Sequence, residues 1–423
     1  MRELINQPKW VKQAAYFLGS QALTLLGSSL VQYAMMWHIT LDTESGFMMT
    51  LYIICGFVPM FIVSPFAGVW ADRYDRKWLI MLSDGGIAFA TFILAILYYM
   101  GYGSNTLILV MAVVRAIGGG VQSPAISAIL PQIVPKEALT KVNGVNASLQ
   151  AVIMFISPML SAGLISLTTM PNIFMIDVVT AVFAIVVLHY FLKIPARTQG
   201  SSEAQMSYWE DFKLGLRYVV THRFLKVFFA VFAVMFILMA PVSFLTPLQI
   251  TRNYGEEVWR LSALEMIFSI GMLLGGALIT RWGGFSNRMV TIAVSGVVIS
   301  ICTILMGVLT PFWPYISMMG IFGIMMPFFN TPSTVIIQEN VEDAYLGRVF
   351  GVLSMISTSM MPLGMLVFGP LADIVKIEWM LIFTGSCLLL LSLYIFQNTT
   401  LRQAGEVSEE SDTKLERGLN EDD

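Results

Sequence analysis

Three ionisable residues, Arg115, Asp177 and Glu265, interrupt long apolar stretches of this sequence. A charged side chain at the centre of a membrane helix costs about 2.5–3.5 kcal/mol on insertion scales, so each residue is a functional hypothesis by default. Arginine does not lose its proton in proteins, whereas a carboxyl group can bind and release one. These residues therefore form our predicted proton-coupling set.

The depth of each residue in its apolar stretch indicates its role. If the fourth helix begins near Thr106, Arg115 lies about 14 Å along it, close to the membrane midplane. We interpret Arg115 as a fixed cation that faces a cavity and favours the charged form of a nearby carboxylate. The alternative is a clamp between helices, bonded to carbonyls and glutamines. Glu265 lies six residues beyond Trp259, about 9 Å deep, and is our first choice of proton carrier. Its alternative is a glutamate in the first turn of a helix, within reach of water.

A stripe of neutral polar residues runs along the first apolar stretch. Its members are spaced by three, four and four residues, which places them on one side of a helix. Such faces either line a cavity or bind one helix to another, and both uses stay open. Methionine and phenylalanine side chains in the seventh stretch suit an adaptable apolar pocket, or a face turned to lipid. Our cavity candidates are Gln21, Thr24, Ser28 and Gln32 of the stripe, with Gln122, Asn146, Gln150, Met235, Phe236, Met239 and Asn330.

A tight charged turn, GVWADRYDRK at residues 68–77, joins two apolar runs. Each run is long enough to cross a hydrocarbon core of about 30 Å, which needs about 20 helical residues. Positive charge favours the cytoplasmic side, which places the turn inside. We predict that Asp72 lies against the N-terminus of the eleventh span, near Leu346–Arg348, where free N–H groups favour a carboxylate and latch the halves together. The predicted latch residues are Gly68, Asp72, Arg73, Asp75, Arg76, Lys77, Asp84 and Arg348.

The composition indicates a helical membrane protein. The chain has 423 residues, of which 57% are hydrophobic and 12% are charged, whereas soluble domains are about 25% charged. This predicts an all-α polytopic membrane protein with twelve transmembrane helices. The cysteines and histidines show no metal-ligand spacing, and no phosphate-binding glycine–lysine signature occurs. We therefore expect no metal, no cofactor and no enzymatic activity. The predicted spans are 14–37, 47–70, 78–100, 106–130, 140–166, 172–194, 222–249, 259–282, 288–309, 313–335, 345–371 and 378–398.

Loop charges and an internal repeat indicate how the chain is organised. Lysine and arginine concentrate on alternate loops, which predicts that both termini are cytoplasmic. Residues 139–145 match residues 346–352, and Pro124 lies 208 residues before Pro332. A direct repeat of this kind fits two parallel six-helix bundles. The predicted domains are an N-terminal bundle 1–194, a cytoplasmic linker with an amphipathic helix 195–221, a C-terminal bundle 222–398 and a disordered acidic cytoplasmic tail 399–423.

The charged turn also resembles a known family motif. The loop signature of the major facilitator superfamily is Gly-x-x-x-Asp-Arg-x-Gly-Arg-Lys, and this chain has Asp75 at the second glycine. The segments SPAISAILPQIVP (123–135), TKVNG (140–144) and LGRVFG (346–351) are similar to the bacterial macrolide-efflux branch of drug:proton antiporters. The residues that match the loop signature are Gly68, Asp72, Arg73, Arg76 and Lys77.

The resemblance implies export of amphipathic organic molecules in exchange for protons, by alternating access between two halves. It implies a monomer in the bacterial cytoplasmic membrane whose partners are the substrate, protons and the lipid bilayer, without nucleic acid. It places Arg115 and Gly119 at the superfamily's Arg-x-x-x-Gly motif. It also makes the sixth span peripheral, so a structural hydrogen bond is the first expectation for Asp177. The alternatives are an exporter of an endogenous metabolite, such as a siderophore or lipid, and a non-transport receptor or scaffold.

Replacement of Asp72 by Asn is expected to reduce transport while leaving the amount of protein in the membrane unchanged. The amide keeps the size of the carboxylate but removes the charge that a helix N-terminus favours. Transport assays in cells, with membrane fractions quantified in parallel, measure both quantities. Normal transport by Asp72→Asn refutes the latch.

Overall fold

The computed structural model describes residues 9–192 and 208–406 of the chain. The described residues form helices and no β-strand, and 12 helices are long and apolar enough to cross a membrane. The predicted all-α class and number of spans are therefore confirmed. The helices are α1 Lys9–Thr43, α2 Gly46–Arg73, α3 Arg76–Tyr99, α4 Asn105–Ile133, α5 Lys136–Leu167, α6 Met170–Phe191, α7 Tyr208–Thr221, α8 Arg223–Ala240, α9 Thr246–Tyr254, α10 Val258–Trp282, α11 Arg288–Val308, α12 Phe312–Asn340, α13 Asp343–Leu371, α14 Ile377–Gln397 and α15 Thr399–Ala404.

Three predicted domains lie partly outside the described residues. The parts outside are residues 1–8 and 193–194 of the N-terminal bundle, the first part of the linker and the acidic tail beyond residue 406. The tail differs from the prediction at its start, because Thr399–Ala404 form the short helix α15. The side chain of Asn398 caps this helix by accepting a hydrogen bond from the backbone N–H of Leu401 at 3.1 Å. An N-cap asparagine satisfies a donor that the first helical turn otherwise leaves free.

Span seven consists of α8 and α9 joined by a π-helical turn at Pro241–Leu245. Proline lacks a backbone N–H and its ring crowds the preceding turn, so a helix that contains it loses a regular hydrogen bond. A single wide turn accommodates this loss without ending the helix. The span therefore continues from Arg223 to Tyr254.

The chain divides into two compact units. Unit 1 comprises residues 1–204 and 250–266, and unit 2 comprises residues 205–249 and 267–423. In unit 1, α1 packs against α5 and α6, and α4 packs against α2 and α3. In unit 2, α11 packs against α12 and α14, and α13 packs against α7 and α8. Residues 250–266 therefore group with unit 1, although the sequence assigned them to the C-terminal bundle.

A glycine lets α1 and α6 approach closely in unit 1. A Cβ atom at Gly27 would clash with the Thr180 hydroxyl and lie 3.3 Å from the Asp177 Cα. Helix pairs in membranes use such small residues because packing, rather than water exclusion, holds them together. Gly27 therefore fixes the distance between the α1 and α6 backbones next to Asp177.

The charged turn ties three helix ends together within unit 1. The Asp75 carboxylate caps α3 by accepting from the backbone N–H groups of Lys77 and Trp78. The Arg76 guanidinium donates to the carbonyls of Ala71 at 2.8 Å and Ala128 at 2.6 Å. The Lys77 ammonium donates to two carbonyls at the end of α6, those of His189 at 2.9 Å and Leu192 at 2.8 Å. Cations at helix C-termini are favourable because the last carbonyls lack partners.

The other predicted latch residues of unit 1 contribute less to this turn. Gly68 is half-buried with open space beside it, and Arg73 is exposed. The side chain of Asp72 lies outside the described part of the structure. Its contact with the eleventh span stays a prediction.

Unit 2 repeats the arrangement of the charged turn. Asn287 stands 212 residues after Asp75 and caps α11 in the same way. Arg288 forms a bidentate ion pair with Glu339 near the end of α12, with N–O distances of 2.8 and 2.5 Å. The backbone N–H of Arg288 donates to the Gly405 carbonyl, which binds α15 to this corner. The repeat noticed in the sequence therefore extends to the contacts that hold the helix ends.

The amphipathic helix α7 packs on α13 in unit 2. A Cβ atom at Gly215 would lie 3.0 Å from the Arg348 carbonyl oxygen. The ring of Tyr218 stacks on that of Tyr345 with centroids 4.3 Å apart, and the Arg348 guanidinium lies 5.6 Å above the Tyr345 ring. Arg348, a predicted latch residue, thus belongs to the α7–α13 contact.

The substitution Gly27→Ala is expected to destabilise the protein by about 1–3 kcal/mol, because an added methyl group overpacks the α1–α6 contact. The second change Thr180→Ala removes the hydroxyl that would clash and should restore part of the loss. Gly19→Ala is the matched control, since no atom lies within 4 Å of its Cβ position. Thermal unfolding of the purified protein in detergent measures all three variants. Equal unfolding temperatures for Gly27→Ala and Gly19→Ala contradict the close approach.

Candidate functional site

A buried ion pair joins α4 to α6 in unit 1. The Arg115 guanidinium lies 2.5 Å from the Asp177 carboxylate, and their side chains are 11% and 2% exposed. Ser28 on α1 donates to one carboxylate oxygen at 3.2 Å, and Thr91 on α3 donates to the other at 3.3 Å. Arg115 also donates to the Ser28 carbonyl at 3.0 Å. We call Ser28, Thr91, Arg115 and Asp177 the ion-pair layer.

Every oxygen of Asp177 has a donor, and this decides what the ion-pair layer does. A buried charge is tolerated when a counter-charge and hydrogen bonds replace water. Arg115 supplies the charge, and Ser28 and Thr91 supply the additional donors. The contacts of Arg115 are those of the clamp that the sequence left open, with Asp177 as a partner that sequence reasoning did not name. The ion pair fastens four helices together.

A second set of polar groups lies two helical turns away. Asp84 is 1% exposed, and one of its oxygens accepts from the Gln122 amide at 2.8 Å. Asp84 precedes Thr91 by seven residues on α3, and Gln122 follows Arg115 by seven on α4. Seven helical residues span about 10 Å, so the pairs 84/122 and 91/115 follow one antiparallel register.

The polar stripe of α1 contributes to the same two levels. Gln21 precedes Ser28 by seven residues, and its buried amide nitrogen has no hydrogen-bond partner among the described residues. Thr24 is buried and donates to the Ser20 carbonyl of its own helix at 3.1 Å. Gln32 is exposed. We call Gln21, Asp84 and Gln122 the amide layer.

The amide layer adjoins a cavity in unit 1. The cavity has a volume of about 420 Å³ and lies against α4 and α5. It brings together three of the predicted cavity residues, and Gln122 belongs both to the cavity wall and to the bond with Asp84. None of the described residues that line it is charged. They are Gly119, Gln122, Ser123, Ile126, Ser127, Leu130, Asn143, Asn146 and Gln150.

The remaining cavity candidates lie elsewhere. Met235, Phe236 and Met239 are buried in the helix packing of unit 2, and the Met235 methyl group lies 3.5 Å from the Cβ position of Gly296. Burial of this kind fits neither a pocket wall nor a lipid-facing surface. Asn330 is exposed on α12, where its carbonyl accepts from Thr334.

A family model described as Major Facilitator Superfamily matches residues 15–365. The chain belongs to the major facilitator superfamily. Macrolide efflux protein A of Streptococcus pyogenes is 27% identical over 375 residues, which cover 88% of this chain and 92% of that protein. The Staphyloferrin A transporter of Staphylococcus aureus is 24% identical over 380 residues, covering 85% and 89%.

A solved structure has the same fold. It is the inward-facing, unoccupied form of a bacterial homologue of the human lysosomal transporter Spinster, with a TM-score of 0.68. It is 14% identical in sequence, and the match covers 94% of this chain and 99% of that one. The family and the fold are those of membrane transporters rather than enzymes.

Glu265 of this major facilitator protein lies on α10 and is half-buried. No hydrogen bond or ion pair joins it to another residue in the described ranges. Its role as proton carrier stays a prediction. Among the described residues, no three His, Cys, Asp or Glu side chains gather as metal ligands.

Asp84 is the residue that sequence reasoning misplaced in this facilitator. Its position near the charged turn suggested the latch, but its side chain points to Gln122 on α4. The register of α3 against α4 is the feature from which the Asp84–Gln122 contact could have been predicted. Once Thr91 is set opposite Arg115, Asp84 must fall opposite Gln122.

The single variants Asp177→Asn and Arg115→Gln are each expected to lower stability by about 3–5 kcal/mol, because each leaves one buried charge without its partner. The double variant should be more stable than either single one, since it removes both charges. Arg115→Lys should recover only part of the loss, because lysine lacks the planar fork. Thermal unfolding in detergent gives the coupling energy, and additive single-variant losses contradict the clamp.

Proposed function

We propose that the protein exports amphipathic organic compounds, including macrolide-like drugs, in exchange for protons and by alternating access. The observation that carries this proposal is the similarity to a macrolide efflux protein along nearly the whole of both chains. The membrane is the bacterial cytoplasmic membrane, with both termini on its cytoplasmic side and the protein working as a monomer.

The chemistry of the cavity supports an uncharged, amphipathic contact surface for the substrate. Its volume of about 420 Å³ lies within the usual range for ligand pockets, about 300–1,000 Å³. Amide groups of Gln122, Asn146 and Gln150 line the cavity together with the apolar side chains of Ile126 and Leu130. Amides both donate and accept, so they suit ligands that carry hydroxyl and carbonyl groups on an apolar frame.

The buried carboxyl groups support an ion gradient as the energy source. The sequence contains no phosphate-binding loop of the Gly-x-x-x-x-Gly-Lys type, so nucleotide hydrolysis has no site of that kind. Ionisable residues inside membrane spans commonly belong to proton relays. A proton that moves down its gradient is therefore our proposed driving force.

Export of a siderophore is the second candidate function. The similarity to the Staphyloferrin A transporter favours it. Siderophores bind ferric iron through anionic oxygen groups, and recognition of such groups calls for arginine or lysine. The described cavity lining offers amides and hydroxyls instead. A siderophore is therefore a less favoured candidate substrate than an amphipathic drug.

The variants Asn146→Ala and Gln150→Ala are expected to raise the apparent KM for erythromycin about three- to tenfold, the loss that follows from one hydrogen bond. Uptake of radiolabelled erythromycin into inverted vesicles, with and without an imposed pH gradient, measures this. Ser148→Ala on the same helix is the matched control, because its hydroxyl bonds to the Gly144 carbonyl of α5. Equal uptake with and without the pH gradient contradicts proton coupling. Uptake of a siderophore but not of erythromycin favours the second candidate function.

A further inference from the structure

Asp84 is a buried carboxyl group whose hydrogen bonding is incomplete. Its side chain is almost fully enclosed. One oxygen accepts from the Gln122 amide at 2.8 Å, and the other is buried with no partner among the described residues. A carboxylate presents about four acceptor sites, and a buried polar group without partners is costly. One neutral amide is a poor substitute for the water that an ionised Asp84 would lose.

Asp177 shows how a buried carboxylate is matched by hydrogen-bond donors in the same unit. It has a guanidinium at 2.5 Å and two hydroxyl donors, so both of its oxygens are satisfied. Asp84 has no cation within ion-pair distance among the described residues. Asp84 and Asp177 of unit 1 therefore differ in how completely their oxygens are hydrogen-bonded.

The charged groups around Asp84 do not supply a counter-charge for its ionised form. From α6 the group that acts on it electrostatically is Asp177, which is also acidic. From α4 the charged residue is Arg115, two turns away and bound to Asp177. On α3 itself the cations are Arg76, which is bound to the carbonyls of Ala71 and Ala128, and Lys77, whose ammonium is bound to carbonyls at the end of α6. Described charged residues of α2 lie at its end in the charged turn, where Arg73 is exposed.

Gln21 offers the group that Asp84 lacks. Its buried amide nitrogen is a donor without an acceptor, whereas the second Asp84 oxygen is an acceptor without a donor. Successive spans alternate in direction, so α1 and α3 run the same way. Gln21 and Asp84 each lie seven residues before a member of the ion-pair layer, which places them at the same depth. The amide layer therefore contains a buried donor on Gln21 and a buried acceptor on Asp84 that lack hydrogen-bond partners among the described residues.

We infer that Asp84 is the residue that binds the coupling proton. The inference rests on the proposed proton-coupled efflux and replaces Glu265 as the first candidate. The step is a proton transfer from a hydronium ion in the cavity to an Asp84 oxygen. One O–H bond of hydronium breaks, the carboxyl O–H bond forms and water is left; release of the proton reverses both changes. The protonated acid is neutral and can remain buried, whereas the ionised form needs the donors of Gln21 and Gln122 together.

Gln122 provides the link between this proton and the substrate. Its amide holds Asp84 while its side chain forms part of the cavity wall. A substrate that draws Gln122 toward itself removes the donor of Asp84 and changes its proton affinity. By linkage, the proton on Asp84 must change the substrate affinity by the same factor. The Gln122 side chain alone can then couple proton binding to substrate binding.

The first test uses the full-length protein in liposomes with radiolabelled erythromycin. Asp84→Asn mimics the protonated acid and keeps the acceptor for Gln122. It should retain exchange of labelled for unlabelled erythromycin, which needs no net proton movement, and lose accumulation driven by a pH gradient. Ser83→Ala is the matched control, because this buried hydroxyl bonds only to the Leu79 carbonyl of its own helix. It should accumulate erythromycin like the wild type.

The outcomes separate the two proposals. If the wild type responds to the pH gradient and Asp84→Asn accumulates equally well, the inference about Asp84 is overturned while proton coupling stands. If the wild type itself ignores the pH gradient, the proposed function fails. A sodium gradient that drives the wild type but not Asp84→Asn would make Asp84 a sodium ligand and overturn the proton site.

The second test measures protonation without any substrate. Infrared spectra of the protein in lipid, recorded between acidic and alkaline pH, show the carbonyl stretch of each protonated carboxylic acid. A band present at neutral pH in the wild type, Ser83→Ala and Glu265→Gln should be missing in Asp84→Asn. Loss of that band in Glu265→Gln instead assigns the proton to Glu265 and overturns the inference. An unchanged band in Asp84→Asn overturns it as well.

Discussion

The structure depends on one constraint, the cost of a polar group that is buried in a hydrocarbon environment without a partner. Backbone groups meet it by forming helices, whose hydrogen bonds stay within the segment. Side chains meet it by finding each other across helices. Arg115 and Asp177 satisfy it completely, and Ser28 and Thr91 complete the arrangement. The packing of α1, α3, α4 and α6 around this ion pair follows from the need to keep it matched.

The same constraint explains the charged turn. Helix ends expose carbonyls without partners. From the start of α3, Lys77 reaches the carbonyls at the end of α6, and Arg76 reaches a carbonyl in the last two turns of α4. In unit 2, Asn287 and Arg288 occupy the equivalent place and hold α12 and α15. A dense group of charges in an otherwise apolar chain is thus accounted for, within each unit, by the ends of its helices. The role of Asp72 as a latch is separate from these contacts.

Sequence reasoning found what depends on periodicity and composition. The number of spans, the internal repeat and the polar residues of α4 and α5 follow from apolar length and helical spacing, and Gln122, Asn146 and Gln150 do meet in one cavity. It did not pair Arg115 with Asp177, because spacing gives depth along a helix but not which neighbour the side chain faces. It assigned Met235 to a pocket or to lipid, whereas the packing of α8 in unit 2 buries it. Side-chain contacts between neighbouring helices can be predicted only when the register of the two helices is known.

The ion-pair layer and the amide layer lie about 10 Å apart along the helices. In the ion-pair layer, each oxygen of Asp177 has a donor. A carboxyl group that binds and releases a proton must instead be incompletely matched in either form. Asp84 meets that condition, and Gln122 connects it to the cavity. The spacing of seven residues on α1, α3 and α4 fits the proposed coupling, because it keeps the ion pair about 10 Å from Asp84 along the helices.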